Sequence, residues 1–196
     1  MKTRFLAVLG FLLLSLAQVF AADEFAIDPV HSSANFSVKH LTISTVHGRF
    51  SDISGTIIYD EKNPAKSSVQ AVIKTASVNT DNATRDKDLR SANFFDTDKY
   101  PEMRFQSTKV EKIGDQLQVT GNLTIKDVTR QISFPITLVQ GEARGKTRLG
   151  IDFSTVVNRF DYNISYDQTG ATVGKDIKID VSVEAVKNTP AGTAPK

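Results

Sequence analysis

Three histidines, His31, His40 and His47, are the side chains of this sequence best suited to metal binding or acid–base chemistry. Clustered imidazoles could ligate zinc, act as a general base with helpers, or belong to a structural frame. Zinc sites usually draw ligands from closer spacings, such as two residues apart on a strand or four on a helix. Here the spacings are nine and seven residues, and the chain has no cysteine. The sequence therefore predicts no metal site.

The three imidazoles are expected in different surroundings. His31 follows Asp28 and Pro29 in a segment typical of a turn, where an imidazole hydrogen-bonds to backbone and a neighbouring carboxylate. His40 is expected to point inward at a strand end, either as a satisfied core residue or as a polar contact for a ligand's head group. His47 is expected in an exposed turn.

Other catalytic motifs are missing from the sequence. No Gly-x-Ser-x-Gly elbow exposes a nucleophilic serine. The stretch 141–147 (GEARGKT) imitates a phosphate loop but is one residue short between its glycines and leads into a strand, so it is predicted to be a hairpin turn.

The elements that must position these residues are strands, because apolar and polar residues alternate along most of the chain. In 177–185, for example, Ile177, Ile179, Val181, Val183 and Ala185 fall on one face. About eight such segments are predicted: 34–38, 53–59, 69–73, 103–107, 117–125, 132–138, 149–153 and 177–185. Strands with one apolar face must cover it, and mostly short connections favour closing the sheet. We predict an all-β chain forming a single eight-stranded antiparallel β-barrel.

One connection is long. Residues 79–101 begin with charged residues, are predicted to hold a short helix around residues 82–90, and then carry the adjacent aromatics Phe94 and Phe95. Long connections with such residues are candidate lids.

The N-terminal end of the sequence predicts export, and the C-terminal end predicts a tail. Lys2 and Arg4 precede an apolar run, and small residues follow it, so 1–21 is interpreted as a signal peptide cleaved after Ala21 or Ala22. The domain is predicted over 24–187, with a flexible tail over 188–196. Removal of the signal peptide lowers the count of basic residues from 24 to 22, equal to the 22 acidic ones. Such a neutral chain gives no electrostatic reason to expect nucleic acid.

The order of several short motifs resembles the YceI-like family of periplasmic, lipocalin-like polyisoprenoid-binding proteins. These motifs are 28–32 (DPVHS), 36–41 (FSVKHL), 46–50 (VHGRF), 77–80 (SVNT), 85–86 (RD), 94–96 (FFD), 100–105 (YPEMRF), 121–126 (GNLTIK), 158–159 (NR) and 173–174 (VG). Two departures stand out: Asp88 occupies a position where many relatives have histidine, and Asn163 stands where glycine is frequent.

The resemblance implies a lipocalin-like barrel in the periplasm, without a metal or another cofactor, that encloses an isoprenoid lipid, a quinone or a similar amphiphile as carrier, store or scavenger. Apart from the resemblance, the sequence leaves open a membrane electron-transfer or lipid-pathway partner, and either a monomer or a homodimer. The inward residues expected to line the pocket are Phe36, Val38, His40, Phe50, Ile57, Ile73, Phe94, Phe95, Phe105, Leu123, Phe134, Phe153, Ile179 and Val181. Arg49, Arg85 and Arg159 are the candidates for a polar rim.

Two alternatives stay open on the residues alone. The inward side chains could pack against one another and fill the barrel, which would then be a rigid interaction module. The chain could also be an enzyme that acts on a lipid head group, with His40 or His31 as the base near Arg159.

Overall fold

The computed structural model describes residues 22–188, and these form strands with a single α-helix among them. In chain order the elements are β1 (Asp23–Ile27), β2 (Ser33–His40), β3 (Ser44–Phe50), β4 (Ile53–Tyr59), β5 (Ser68–Lys74), β6 (Val78–Asn79), α1 (Ala83–Arg90), β7 (Glu102–Ile113), β8 (Gln116–Ile125), β9 (Val128–Ala143), β10 (Lys146–Asn158) and β11 (Val173–Lys187). Short 3-10 turns span Pro64–Lys66, Thr75–Ser77 and Arg159–Tyr162.

The strands close into a ring in which every pair is antiparallel. From β7 to β11 each strand pairs with the next, and β5 joins the ring through β7. The last strand, β11, closes the ring by pairing with β2 along its first half and with β1 at its end. The pairs β1 and β2, β3 and β4, and β5 and β6 therefore act as three interrupted strands. The prediction of a closed eight-stranded antiparallel barrel with one short helix is confirmed.

Left-handed backbone conformations mark the tight connections. Gly114 (φ 61°) turns β7 into β8, Lys126 (φ 54°) turns β8 into β9, and Arg144 and Gly145 (φ 53° and 70°) turn β9 into β10. Asn163 also adopts a left-handed conformation (φ 57°) at the end of the third 3-10 turn, as its tolerance for that region predicts.

The barrel has two ends that differ in construction. The lower end carries the turns at 114–115 and 144–145, and a cluster of apolar side chains fills it, with Phe25, Leu149 and Ala185 fully buried. The upper end carries α1, the turn at 126–127 and the connection 159–172, and a second cluster around Val78, Phe94 and Tyr162 lies beneath them. Inward side chains at alternate positions build both clusters, as the period of the strands requires.

Parts of the segmentation differ from the prediction. Strand β1 lies outside the predicted strands, and His47 lies within β3 rather than in a turn, paired with Ser37 and exposed. Asn188, expected in the flexible tail, donates its backbone N–H to the Glu24 carbonyl at 2.8 Å. The predicted signal peptide (1–21) and the remainder of the predicted tail (189–196) lie outside the described residues. None of the helices within 22–188 is long and apolar enough to cross a membrane.

Candidate functional site

A cavity of about 230 Å³ lies inside the barrel, between the filled lower end and the helix-covered upper end. The surface that its wall exposes is apolar throughout. Strands from every part of the ring contribute to it, and so do α1 through Leu89 and the connection after α1 through Phe94 and Phe95. A core of branched aliphatic and aromatic residues therefore fills this barrel only in part.

Three phenylalanines pack together in the cavity wall. The rings of Phe134 and Phe153 stack with 4.1 Å between centroids and 13° between planes, and Phe105 packs on Phe134 at 5.6 Å. Phe105 lies over Gly121 on the neighbouring strand, where an added Cβ would stand 2.4 Å from the Phe105 ring. The absence of a side chain at Gly121 thus leaves the space that the Phe105 ring occupies.

Three aromatic contacts lie at the upper boundary of the cavity. We call the residues that form them the roof: Phe36, Phe50, Phe94, Phe95 and Tyr166. Phe50 contacts Phe36 at 5.6 Å and meets Phe95 edge-on at 5.4 Å. Phe94 packs against Tyr166 at 5.0 Å. The roof therefore joins three chain segments, namely β2 with β3, the connection after α1 and the connection before β11.

Helix α1 holds its side of the roof through polar contacts at both ends. The Asn82 side chain caps the helix by accepting from the Arg85 N–H. The buried Asp86 carboxylate accepts from the Thr80 N–H at 2.8 Å and from the Thr80 hydroxyl at 2.6 Å. At the other end Arg90 donates to the carbonyls of Ala76 and Val78. These bonds fix the helix to β6 although its own sequence is too polar to pack deeply.

Arg159 organises the other side of the roof. Its side chain is buried, with 3% of its surface exposed, and donates to five backbone carbonyls at 2.5–3.0 Å. Those carbonyls belong to Ile164, Tyr166, Asp167, Val173 and Gly174. Burial lowers the pKa of Arg159, while the nearby Asp167 carboxylate acts in the opposite direction. Because the guanidinium has five N–H groups, its hydrogen-bonding capacity is used within the protein.

The connection 163–172 has a second anchor in Asp167. Its carboxylate accepts from the Thr169 hydroxyl at 2.5 Å and from the N–H groups of Thr172 and Val173 at 2.6 and 3.2 Å. These hydrogen bonds, above all the one from Thr169, lower the pKa of Asp167 to about 2. The connection that carries Tyr166 is therefore held by one buried cation and one hydrogen-bonded carboxylate.

The structure brings together thirteen of the fourteen predicted pocket residues in the cavity wall. They are Phe36, Val38, Phe50, Ile57, Ile73, Phe94, Phe95, Phe105, Leu123, Phe134, Phe153, Ile179 and Val181. Their contact with a ligand stays a prediction. The exception is His40, which ends β2 in pairs with Ser44 and Val173 and is not part of the wall. Val38, two residues earlier on the same face, is the last β2 residue to line the cavity.

The predicted polar rim needs correction. Arg49 lies 3.6 Å from the Asp81 carboxylate at the surface, and Arg85 donates to the Thr80 hydroxyl and carbonyl, so neither lines the cavity. Arg159 does line it, but its five donors are already bonded to carbonyls. None of the three arginines therefore presents a free donor to the lumen, and Arg159 supports the framework of the roof.

His31 is a turn residue, as predicted. Its Nδ1 lies 2.9 Å from Asp28 Oδ2, and this hydrogen bond is the main reason that the pKa of Asp28 is lowered. Glu184 lies close to both groups, and within 22–188 this is the only trio of such side chains near enough to share a cation. Arg148 already bonds the Glu184 carboxylate and lies 3.7 Å from Asp28. The guanidinium thus supplies the positive charge at this position.

Several wall residues were absent from the predicted set. Ile132 and Ile136 flank Phe134 at the same period, and Ile151 and Val183 extend stripes that were recognised, so alternation alone could have identified them. Tyr162 and Ile164 belong to the third 3-10 turn and its exit, where no period exists. Leu89 was missed as well, because the sequence of α1 is strongly polar and shows no apolar face.

Comparison with known proteins agrees with this architecture. The model of the YceI-like domain matches residues 25–185. The chain belongs to the YceI-like family. The Protein YceI of Shigella flexneri is 40% identical over 180 residues, which cover 90% of this chain and 93% of that protein.

Two solved structures are similar in fold to this chain over most of its length. The Campylobacter jejuni YCEI protein has a TM-score of 0.70 and 34% identity, and the match covers 77% of this chain and 90% of that one. A polyisoprenoid binding domain from Saccharophagus degradans has a TM-score of 0.67 at 18% identity, covering 84% of this chain and 98% of that one. At that identity the second likeness concerns the fold alone.

Proposed function

We propose that this YceI-like barrel binds a slender amphiphile with an isoprenoid or quinone-type chain in its lumen, and that it serves as a periplasmic carrier, store or scavenger. The observation that carries the proposal is the cavity of about 230 Å³ whose exposed wall is apolar throughout. Transfer of a hydrocarbon chain from water to such a wall is favourable, whereas a polar solute would find no hydrogen-bond partner there. The solved domain from Saccharophagus degradans, described as polyisoprenoid-binding, shares the fold and supports the same class of ligand.

The cavity volume limits how a long chain can be held. An apolar cavity of about 150 Å³ accommodates benzene, so the present one has room for roughly nine carbon atoms. At about 0.3 kcal/mol per atom, nine carbons contribute about 3 kcal/mol, which is weaker than millimolar affinity. A chain of about 30 carbons would contribute on the order of 9 kcal/mol. A chain of that length exceeds the cavity, so its tight binding requires residues around the cavity to move and part of the chain to leave the barrel.

The upper end suits such an exit better than the lower end does. At the lower end Phe25, Leu149 and Ala185 are fully buried and lie outside the cavity wall, whereas the roof rests on contacts between separate connections. In this arrangement the chain lies in the lumen and the polar head group remains outside the roof. No polar side chain inside the barrel is then needed to receive the head group.

Organic extraction of the protein purified from cells, followed by mass spectrometry, tests the proposal directly. Recovery of an isoprenoid lipid or quinone is expected, together with saturable binding of polyprenols and quinones by the emptied protein. Val181→Phe places an aromatic ring in the wall and should abolish both signals. Val139→Phe is the matched control, because Val139 points outward from β9 with 64% of its surface exposed.

Solvent-only extracts and no binding on titration would overturn the proposed ligand class. Thermal unfolding of each variant shows whether the Val181→Phe protein is folded, and Ile179→Phe provides a second obstruction in the same wall. The periplasmic location is tested separately by osmotic-shock fractionation, in which the protein should appear in the shock fluid. Retention of the protein in the cytoplasmic fraction would contradict that part of the proposal.

A further inference from the structure

The hairpin that joins β2 to β3 projects apolar side chains into solvent at the upper end of the barrel. Its tip consists of Leu41, Thr42 and Ile43, which we call the mouth tip. Leu41 exposes 49% of its surface and Ile43 exposes 83%. Scattered apolar residues on a surface are ordinary, but two at one protruding turn beside the roof of an apolar lumen call for a physical reason.

The backbone of the mouth tip is costly for these residues. Leu41 and Thr42 both adopt left-handed conformations, with φ of 52° and 58°, and the Ile43 N–H closes the turn onto the His40 carbonyl at 3.1 Å. Asn and Gly adopt such turns with little strain, whereas leucine and β-branched threonine do not. Strain of this kind persists where surrounding structure holds it and is concentrated at functional segments.

Contacts to the barrel hold the mouth tip in its place next to the roof. The Leu41 N–H donates to the Thr172 carbonyl at 2.9 Å, which ties the tip to the connection that carries Tyr166. Gly174 packs beside Lys39, since a Cβ on this glycine would lie 3.3 Å from the Lys39 Cβ. The tip is therefore coupled to the same segment that Arg159 and Asp167 anchor under the roof.

Charges around the mouth tip suit a negatively charged surface. Lys39 and Lys175 are exposed on either side of Gly174, and Asp176 is the exposed carboxylate of the same bulge in β11. Apolar side chains at the centre with lysines behind them are the pattern of segments that enter the interface of anionic bilayers.

We propose that the mouth tip inserts Leu41 and Ile43 into the interfacial layer of an anionic phospholipid bilayer, so that the roof faces the membrane during loading and release. The inference rests on the proposed function, because a ligand for an apolar lumen is dissolved in the membrane and not in water. Docking at this end lets the chain pass between bilayer and lumen without crossing bulk solvent.

Co-sedimentation with vesicles of phosphatidylethanolamine and phosphatidylglycerol tests the docking, using protein purified from cells so that all variants share the same termini. Leu41→Asn with Ile43→Thr removes the apolar side chains while Asn tolerates the left-handed turn, so the fold is retained. Vesicle affinity should fall at least about tenfold. The control, Val30→Asn with Ile113→Thr, removes equally exposed apolar side chains away from the mouth and should bind like the unmodified protein.

The contribution of the two lysines is tested by comparing the anionic vesicles with neutral phosphatidylcholine vesicles. Lys39→Gln with Lys175→Gln should weaken binding to the anionic vesicles by about fivefold per lysine. The same variant should leave any binding to phosphatidylcholine vesicles unchanged. Equal loss on both kinds of vesicle would overturn the electrostatic part of the proposal.

Titration with a short-chain quinone in solution separates this proposal from the proposed function. Loss of vesicle binding with retained quinone binding in the mouth-tip variant supports the docking. Unchanged vesicle binding by that variant, or equal loss in the Val30 and Ile113 control, overturns it and leaves lumen binding intact. Absence of quinone or polyprenol binding by the unmodified protein, alongside tip-dependent vesicle binding, overturns the proposed function and leaves the docking standing.

Discussion

Phe94 and Tyr166 pack against each other across the upper end of the barrel, with 5.0 Å between ring centroids and 35° between ring planes. Phe94 belongs to the connection after α1 and is 7% exposed, whereas Tyr166 belongs to the connection before β11 and is 42% exposed. The pair is thus the outer layer of the roof, and it links two segments that share no strand pairing. We expect the proposed ligand to separate these rings if it leaves through this end.

Replacement of Tyr166 should therefore raise the rate of ligand release while the barrel stays folded. Tyr166→Ser removes an aromatic contact of about 1 kcal/mol, a magnitude typical of such pairs, and the release rate of a fluorescent polyprenol analogue should rise about fivefold. Stopped-flow mixing with excess unlabelled ligand measures that rate. Val156→Ser, on the outer wall with 61% exposure, is the matched control. An unchanged release rate for Tyr166→Ser would place the exit elsewhere.

Arg159 provides a test of the framework beneath the roof. Arg159→Met keeps the length of the side chain but leaves five buried or half-buried carbonyls without their donor. Unsatisfied groups cost about 1–3 kcal/mol each when they stay dry, and partial rehydration lowers the sum, so a loss of about 3 kcal/mol is expected. Arg159→Lys retains the charge and three N–H donors. Its free energy of unfolding should therefore lie between those of Arg159→Met and the unmodified protein. Urea unfolding measures both, with exposed Arg49→Met as the control.

Hydrogen exchange distinguishes this framework role from a general loss of packing. Amides of 164–174 should exchange faster in Arg159→Met under conditions where β8 and β9 remain protected. Uniform acceleration over the whole barrel would contradict a local role.

The strands were predictable from sequence, and the roof was predictable only in part. Alternation along 117–125 or 177–185 specifies which side chains face inward, because a strand has a period of two residues and one face of each strand is wet. Closure into eight strands followed from the number of such segments. The wall residues on regular strands were identified for the same reason.

Features held by non-periodic segments were not predictable in the same way. Arg159 was expected at a polar rim, yet the partners that define its role are carbonyls of 164–174, which carry no sequence signal of their own. His40 shares the inward parity of Val38, but parity does not tell where a cavity ends along a strand. The mouth tip contains neither Asn nor Gly, the residues that would have predicted a left-handed turn.

Acid should weaken the connection 163–172 through Asp167. Its pKa in the folded protein is about 2, below the ordinary value of 3.8, because the ionised carboxylate accepts bonds from Thr169, Thr172 and Val173. A lowered folded pKa means that this contribution to stability is fully present above 3.8 and is lost as the pH falls toward about 2. Asp167→Asn should be less stable at neutral pH, and its urea midpoint should converge with that of the unmodified protein in acid. Asp161→Asn, at an exposed carboxylate, is the control. If the urea midpoints of Asp167→Asn and of the unmodified protein stay equally far apart from neutral pH to acid, the role given to Asp167 is wrong.

Substitution of Gly48 tests whether the position of the Phe36 ring affects ligand binding in the lumen. A Cβ on Gly48 would lie 2.3 Å from Phe36 Cζ and 2.7 Å from Thr80 Cγ2, so Gly48→Ala must push the ring away from β3 or strain the strand pair. Overpacking of this kind costs about 1–3 kcal/mol. Because Phe36 contacts Phe50 in the roof, the displaced ring should also reduce polyprenol affinity. Calorimetric titration and urea unfolding measure the two effects.

Gly141→Ala is the matched control for this substitution, since a Cβ on Gly141 meets nothing within 4 Å. Both variants add one methyl group to a strand glycine, so the difference between them isolates the contact with Phe36. Phe36→Leu combined with Gly48→Ala should recover stability, because the shorter side chain leaves room for the new methyl group. If the double variant regains stability but not polyprenol affinity, the Phe36 ring itself is part of the binding wall; if it regains both, the ring acts only by occupying space.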